Sequence, residues 1–367
     1  MNVRAAVLTK FGSPLQIVEF PVPGTLAPGE ILVRVEIAGI CGTDAHLWSG
    51  QLPVPLPLIL GHESAGVIEQ MGSTSIRDWH RQDLKEGDRI TWASSISCGE
   101  CYYCRRKRQP TRCLSRKAYG ISYNAAQAPH LRGGYAEKIL LRAESAIFKL
   151  PDSLSMEAVV GAGCALTTAI HGIERAPIEW GDTVVIQGAG PVGLAALAVA
   201  RESGAERIVV VGGPEHRLEL ARNFGAHATV SLADFPLPAG RRKAVLSETG
   251  PYGADVVIEC VGHPEAVNEA LGFCRDGAQL LVLGQYADSG EISFNPHTVT
   301  RKQLRVIGSW GFEPRHVDRA LRMLQTNGWA ARFAAEITHR YSLSQVNEAL
   351  ETVRKWRGGK TVLQPQM

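Results

Sequence analysis

The sequence predicts an α/β protein with two domains, one rich in β-strands and one built on a doubly wound parallel sheet. Three observations predict it. The chain has 367 residues, more than a single hydrophobic core ordinarily organises. Its first part is a series of β-rich runs broken by Pro/Gly clusters. From about residue 155 nearly continuous apolar strands alternate with helical segments, and the first of those strands runs into a glycine-rich turn.

In order along the chain, strands are expected at 3–8 and 31–37, separated by Pro21-Val22-Pro23-Gly24 and Pro28-Gly29. Two more follow at 64–68 and 88–92, with a polar surface loop, 72–85, between them. The stretch 155–175 reads as helix. A strand at 182–187 then leads into Gly188-Ala189-Gly190-Pro191-Val192-Gly193 and a helix over 194–203. Further strands are expected at 207–211, 254–258, 278–283 and 304–307, mostly with helical segments between them, which is the rhythm of a parallel sheet. The tail carries helices at 316–326 and 344–356 and a last strand at 360–364, and is expected to pack back onto the first domain.

Composition narrows the class. Hydrophobic residues make up 45% and charged residues 20%, with a formal net charge of +3, as in ordinary globular proteins. The only basic cluster, Arg105-Arg106-Lys107-Arg108, has no aromatic-plus-basic stripe beside it and reads as a solvated loop face, so no nucleic-acid partner is expected. No run approaches the ~18 uninterrupted apolar residues of a membrane span, and the N-terminus lacks a charged leader followed by an apolar stretch. Six of the eight cysteines stand at metal-like positions, and Cys260 and Cys274 lie in apolar surroundings. That usage suits thiolates kept for metal in a reducing, cytoplasmic compartment.

The six cysteines form two unlike sets. Cys98, Cys101 and Cys104 follow a C-x2-C-x2-C spacing, with Cys113 nine residues on. Four clustered thiolates suit a closed tetrahedral zinc site. Cys41, His62 and Cys164 are scattered, in the settings Cys41-Gly42-Thr43-Asp44, Gly61-His62-Glu63 and Gly161-Ala162-Gly163-Cys164. Two cysteines and a histidine with an open fourth position suit a catalytic zinc. The expectation is two Zn2+ per chain.

The glycine turn follows a strand and opens a helix, the context that makes its G-x-G-x-x-G spacing specific for a dinucleotide. Gly188 permits the tight turn, Gly190 lets the backbone approach a pyrophosphate, and Gly193 lets helix and strand pack closely. Pro191 and Val192 begin the helix, whose first amides face the phosphates. At the end of the second strand, where an acidic residue would bind the ribose hydroxyls, stands Gly212, followed by Gly213-Pro214-Glu215-His216-Arg217. The carboxylate that would repel a 2′-phosphate is missing, yet no arginine follows immediately to bind one. Glu215 is a second route to the ribose and Arg217 a candidate phosphate partner. The balance favours NAD, with NADP the alternative.

These motifs resemble the zinc-containing alcohol dehydrogenases of the medium-chain dehydrogenase/reductase superfamily. The resemblance covers essentially the whole chain and rests on Cys41 to His46, Gly61 to Val67, the four-cysteine segment, Gly133-Gly134-Tyr135-Ala136-Glu137 and the glycine turn. It implies a GroES-like catalytic domain, residues 1–160 and 310–367, carrying a structural-zinc lobe at about 95–115. A Rossmann domain would span 161–309. The implied reaction is reversible hydride transfer from a small-molecule alcohol to a nicotinamide cofactor, giving a ketone or aldehyde. By the same resemblance Thr43 and His46 form a proton relay. Asp44 orients His62, and Glu63 is near enough to enter the metal shell. Val261, Gly262, Leu283 and Gly284 back the nicotinamide. Trp48, Leu52 and Ser94 line the substrate pocket. Ser94 stands where many members carry a bulky aromatic, which points to secondary, cyclic or polyol alcohols. Three features depart from the commonest pattern: one extra residue between Cys104 and Cys113, a longer loop before Lys85 containing Trp79 and His80, and Gly212.

The implied assembly is a homodimer or homotetramer, with no membrane partner. The competing readings are a sugar-alcohol, cyclitol or threonine-type dehydrogenase, and, in another class, a non-catalytic zinc- and nucleotide-binding redox sensor. Retention of Cys41, Thr43, His46, His62 and Cys164 together weighs against the last.

Overall fold

The computed structural model describes residues 2–73, 75–355 and 357–367. It divides into two compact units, Met1–Gly163 with Glu313–Met367, and Cys164–Phe312.

The first unit is built around the long strand Ile31–Ile40, whose side chains are buried along almost its whole length. It pairs antiparallel with Ser64–Met71, with Lys138–Leu141 and with the final strand Lys360–Gln364. Arg89–Trp92 and Ile147–Lys149 continue that sheet on one side, and Ile337–Ser342 closes it on the other. A smaller sheet orders Gln16–Pro21, Asn2–Leu8 and Leu58–Ile59. One core joins the sheet to the tail: Leu8, Ile31, Val35, Trp92, Tyr119 and Tyr135 share a cluster with Leu343, Val346, Leu350 and Leu363. Large side chains buried this fully contribute about 1.5–3 kcal/mol each, so the tail is bound to the unit by its own apolar face. Thr361 lies opposite Ile40 and Leu363 opposite Ala38. This register sets the start of the last strand beside the chain leading into Cys41.

The second unit is a six-stranded parallel sheet, ordered Ala228–Ser231, Arg207–Gly212, Thr183–Gln187, Ala254–Glu259, Cys274–Val282 and Arg305–Gly308. Successive strands step outward from Thr183–Gln187, and the chain then crosses back to Ala254–Glu259 on its other side. That reversal opens a crevice at the C-terminal ends of the two central strands, where ligands of open α/β sheets bind. Val185, Val209, Val257 and Leu280 meet Val245, Ala270 and Phe273 in the core.

Most expected elements form, with shifted ends. The helix at 155–175 is Met156–Arg175, bent at Gly163. By length and composition it is the single helix among the described residues that meets the requirements of a membrane span, but 72% of its apolar window is buried inside the protein. The helix expected at 344–356 becomes a short 3-10 turn and then Val346–Arg354; the predicted terminus at Trp356 lies outside the described residues. Several elements went unread in the sequence, among them the strands Ile147–Lys149, Ala228–Ser231 and Ile337–Ser342. Gly42–Ser49 is a helix, Gln16–Pro21 and Lys138–Leu141 are strands, and Trp329–Ala335 is a helix holding the fully buried Trp329 and Phe333. The long loop before Lys85 is ordered by Asp78, whose carboxylate accepts from the amides of His80 and Gln82 at 2.9 Å each. His80 Nε2 reaches Asp318 at 3.0 Å, and Trp79 packs on Phe148.

Candidate active site

Three turns present one set of donors. Cys41 ends the strand Ile31–Ile40 and caps the helix Gly42–Ser49. His62 and Glu63 lie in the connection between Leu58–Ile59 and Ser64–Met71. Cys164 follows the bend in Met156–Arg175, where Gly163 takes φ 46° and ψ −148°. A Cβ at Gly163 would stand 2.4 Å from Glu63 Oε1, so glycine is needed there for room as well as for its left-handed backbone. The donor atoms of Cys41, His62, Glu63 and Cys164 all lie within 4.8 Å of one another.

Electrostatics bind this set together. Asp44 is fully buried; one carboxylate oxygen accepts from the Cys41 amide at 2.9 Å and the other lies 3.3 Å from His62 Nδ1. Burial alone would lower the His62 ring. The Asp44 carboxylate, with the Cys41 thiol behind it, outweighs burial and holds the ring well above the usual histidine range. With Nδ1 turned to Asp44, Nε2 is the nitrogen left for an ion. Lys360 Nζ meets Glu63 Oε2 at 2.6 Å, and both side chains are almost wholly buried. The sequence reading missed Lys360. Its signal was a cation opening an otherwise apolar strand just after Gly358-Gly359.

The second set is a small lobe. Cys98, Cys101, Cys104 and Cys113 also place their sulfurs within 4.8 Å of one another. Backbone amides already point at these sulfurs, from Cys98 to Cys113 at 3.3 Å and from Cys101 to Cys98 at 3.4 Å. Amides of Cys104 and Leu114 pull the Cys101 thiol down to about 6, whereas burial first, then the Cys101 sulfur, pushes Cys104 up to about 12. The stretch between Cys104 and Cys113 is taken up by a wide turn, Tyr102–Arg106, a left-handed Arg108 and the 3-10 turn Pro110–Arg112.

Both sets fit zinc by donor chemistry. Zn–S bonds of about 2.3 Å and Zn–N bonds of about 2.0–2.1 Å bring tetrahedral donors to within roughly 4 Å of each other, the scale on which both sets already converge. No other histidine joins either set among the described residues. His171 gives its Nδ1 to Gly311 O and His130 to Ala125 O, each at 2.8 Å.

The helix Gly42–Ser49 carries Thr43 and the half-buried His46, whose Nδ1 bonds Gln51 Oε1. The indole N–H of Trp48 donates to Ser13 O at 2.8 Å, and the Arg354 guanidinium stacks 4.2 Å from its ring centre. Leu52 packs on the first unit's core. Ser94 is buried, and its carbonyl accepts from the Tyr119 amide at 2.8 Å.

In the second unit Gly188 takes φ 109°, and a Cβ at Gly193 would stand 1.8 Å from Gly188 O, so strand and helix touch backbone to backbone. Gly190 caps the helix Pro191–Glu202, with Pro191 and Val192 in its first turn. Arg217 is buried, and its Nη1 lies 3.6 Å from where a Gly190 Cβ would be. Gly212 is pressed on this turn, since a Cβ there would lie 2.9 Å from the Ala189 amide nitrogen. Glu215 is paired with Arg222. Val261, Leu283 and Gly284 lie beyond the ends of the neighbouring strands Ala254–Glu259 and Cys274–Val282.

Comparison with known proteins supplies the deciding observation. Residues 27–152 match the alcohol dehydrogenase GroES-like domain and residues 191–326 the zinc-binding dehydrogenase domain. The chain is 36% identical to 5-exo-hydroxycamphor dehydrogenase of Pseudomonas putida over 89% of its own length and 90% of the relative's. It belongs to the zinc-containing alcohol dehydrogenase family. An L-threonine 3-dehydrogenase of Streptomyces avermitilis is 31% identical over 98% of this chain and 99% of that one. An alcohol dehydrogenase structure from Thermotoga maritima superposes with TM-score 0.94 at 35% identity, covering 99% of each chain. As a member of this family the chain is an oxidoreductase of the hydride-transferring type, with a GroES-like and a Rossmann-like domain and with zinc and a nicotinamide as the family's cofactors.

Proposed function

We propose that the chain oxidises a secondary alcohol reversibly to a ketone, with one zinc held by Cys41, His62 and Cys164 and a second by the four-cysteine lobe. The observation that carries this reading is the convergence of four donors from three turns within 4.8 Å. When bound, the zinc supplies Lewis acidity that favours loss of the alcohol proton, and the nicotinamide supplies the hydride acceptor. The chain's own residues do the rest. Asp44 holds the His62 ring through its charge, 3.3 Å from Nδ1. Lys360 offsets the charge of Glu63, so that a carboxylate can stand among thiolates without a second uncompensated charge. Thr43 Oγ1 would accept the alcohol proton as it gives up its own, and His46 would take up the relayed proton and release it to solvent. Replacing His46 by alanine is expected to slow turnover most at low pH, with partial rescue by small exogenous bases. An unaltered pH–rate profile would remove His46 from the relay.

The secondary-alcohol reading is supported by two relatives whose names specify a ring hydroxyl and a 3-hydroxyl, and by the small side chain of Ser94. Sugar-alcohol substrates are the second choice. Initial rates on primary, secondary, cyclic and polyol alcohols, each with NAD and with NADP, test both; turnover confined to primary alcohols would overturn the choice.

For the dinucleotide we keep NAD as the first reading. Arg217 carries the second, NADP, because a buried guanidinium beside Gly190 suits a phosphate. Gly212→Asp is a poor test, since its Cβ would press on the Ala189 amide. Arg217→Ala is the cleaner one. It is expected to raise KM about tenfold for either dinucleotide if the guanidinium meets the pyrophosphate they share. A loss confined to NADP would assign it to the 2′-phosphate instead.

The proposed assembly is a homodimer or homotetramer. Among the described residues the edge strand Arg305–Gly308 pairs on one side only, and Val306 is 49% exposed on it, an open strand edge of the kind that a second copy covers.

A further inference from the structure

Glu259 ends the strand Ala254–Glu259 and is fully buried. It stands level with Gln187, the residue before the glycine turn, at the point where the strand order reverses. A buried carboxylate is costly unless polar groups satisfy it. Here Oε1 accepts from the amides of Val261 at 2.6 Å and Gly262 at 2.8 Å, and Gln285 Nε2 lies 3.5 Å from Oε2. Its main-chain carbonyl accepts from the amides of Leu283 and Gly284 at 2.9 and 3.0 Å. Each side-chain partner is a donor, the set an ionised carboxylate requires. Each is also neutral, and Glu259 forms no ion pair among the described residues.

Two loops are fixed by this one residue, the first by its carboxylate and the second by its main-chain carbonyl. They approach so closely that a Cβ on Gly262 would stand 2.7 Å from Gly284 O, and one on Gly284 would stand 2.6 Å from Glu259 Oε1. The charge reaches its surroundings: burial first, and Glu259 second, push the adjacent Cys260 thiol well above its ordinary range. A clamp alone needs hydrogen-bond acceptors, which a glutamine would also offer in part. A carboxylate held by neutral donors alone leaves a field that a cationic group nearby would feel.

We propose that Glu259 is an electrostatic positioning residue for the nicotinamide end of the cofactor, its buried charge favouring the oxidised, cationic ring over the reduced, neutral one. This rests on the reading that Val261, Leu283 and Gly284 back the nicotinamide. Two unit charges ~10 Å apart at an effective dielectric of ~20 attract strongly enough to change an equilibrium constant roughly tenfold. A purely structural clamp would hold both redox forms equally.

The test is the ratio of dissociation constants for the oxidised and reduced dinucleotide, measured by titration calorimetry and nicotinamide fluorescence on the zinc-loaded protein. Glu259→Gln removes the charge and keeps the size. It is expected to weaken the oxidised form about tenfold more than the reduced one. Glu259→Asp is expected to weaken both while keeping the wild-type ratio. Gln285→Lys gives up the long Gln285 contact but keeps both amide bonds to Glu259 and supplies a cation beside it, so it shifts the ratio the same way as Glu259→Gln and serves if that variant does not fold. An unchanged ratio in the folded charge-altering variants overturns the inference. Failure of the wild-type protein to bind either dinucleotide would instead overturn the reading of the glycine turn, and this inference with it.

Discussion

Replacing His62 by alanine is expected to remove one zinc per chain and to lower kcat/KM at least a thousandfold. The size reflects the stabilisation a Lewis acid gives a developing alkoxide, several kcal/mol, at about 1.4 kcal/mol per factor of ten. The neighbours make the loss hard to repair. Asp44 is fully buried and faces His62 Nδ1 at 3.3 Å. Without the imidazole that carboxylate loses the partner it orients, and the two thiols remain with only Glu63 to complete a shell. A Glu63 already engaged by Lys360 at 2.6 Å is a poor replacement. The direction of the His62 shift adds a pH dependence. In the metal-free cluster the ring is held protonated above the usual range, so zinc must displace a proton and its uptake weakens as pH falls. Metal analysis and steady-state rates on the same sample check the prediction. A His62→Ala enzyme that kept its zinc and a tenth of its activity would remove His62 from the ligand set.

Loss of the other zinc has a different signature. Cys101→Ser is expected to lower the apparent Tm by on the order of 5–10 °C while intrinsic turnover below that temperature falls less than threefold. The reason is visible in the lobe's packing. Cys98 is exposed, Cys101 and Cys104 are half-buried, and only Thr111 and Cys113 between them are buried. The pairing of Ser95–Ile96 with Lys117–Ala118 is two residues long. So short a segment with so little apolar area cannot meet its own conformational entropy, and ion binding supplies the difference. Scanning calorimetry and zinc content decide it. A variant that lost one zinc per chain yet melted at the wild-type temperature would show that the lobe is not structural.

How much of this was legible in the sequence varies with the physical signal. Five of the six parallel strands were readable because burial demands continuous apolar runs, and Val184-Val185-Ile186 and Ile208-Val209-Val210-Val211 supply them; the sixth, Ala228–Ser231, is a short, half-buried edge strand with no such run. The metal sets were readable because zinc needs thiolates and imidazoles, which few other purposes bring together. The helix Gly42–Ser49 was not readable, because it is set by tertiary contacts. Its hydrophobic pattern is weak, and Asp44 and Leu47 are its buried residues. The bend at Gly163 was not placed, although Gly161 and Gly163 weaken the helix there; the neighbour that demands glycine is Glu63, a hundred residues earlier in the chain. Lys360 was missed for the same reason. Its partner is 297 residues away in the chain and meets it only through the pairing of the last strand with Ile31–Ile40. Glu259 gave a strand ending but no hint that its carboxylate and carbonyl would hold two loops.

The most direct measurement is X-ray absorption at the zinc edge of the purified wild-type protein. With both sets loaded, the average shell is predicted to hold roughly three sulfurs per zinc, the rest being nitrogen or oxygen, at about 2.3 Å and 2.0–2.1 Å. A shell of four sulfurs alone would mean that only the lobe binds zinc, and that Cys41, His62 and Cys164 do not share an ion.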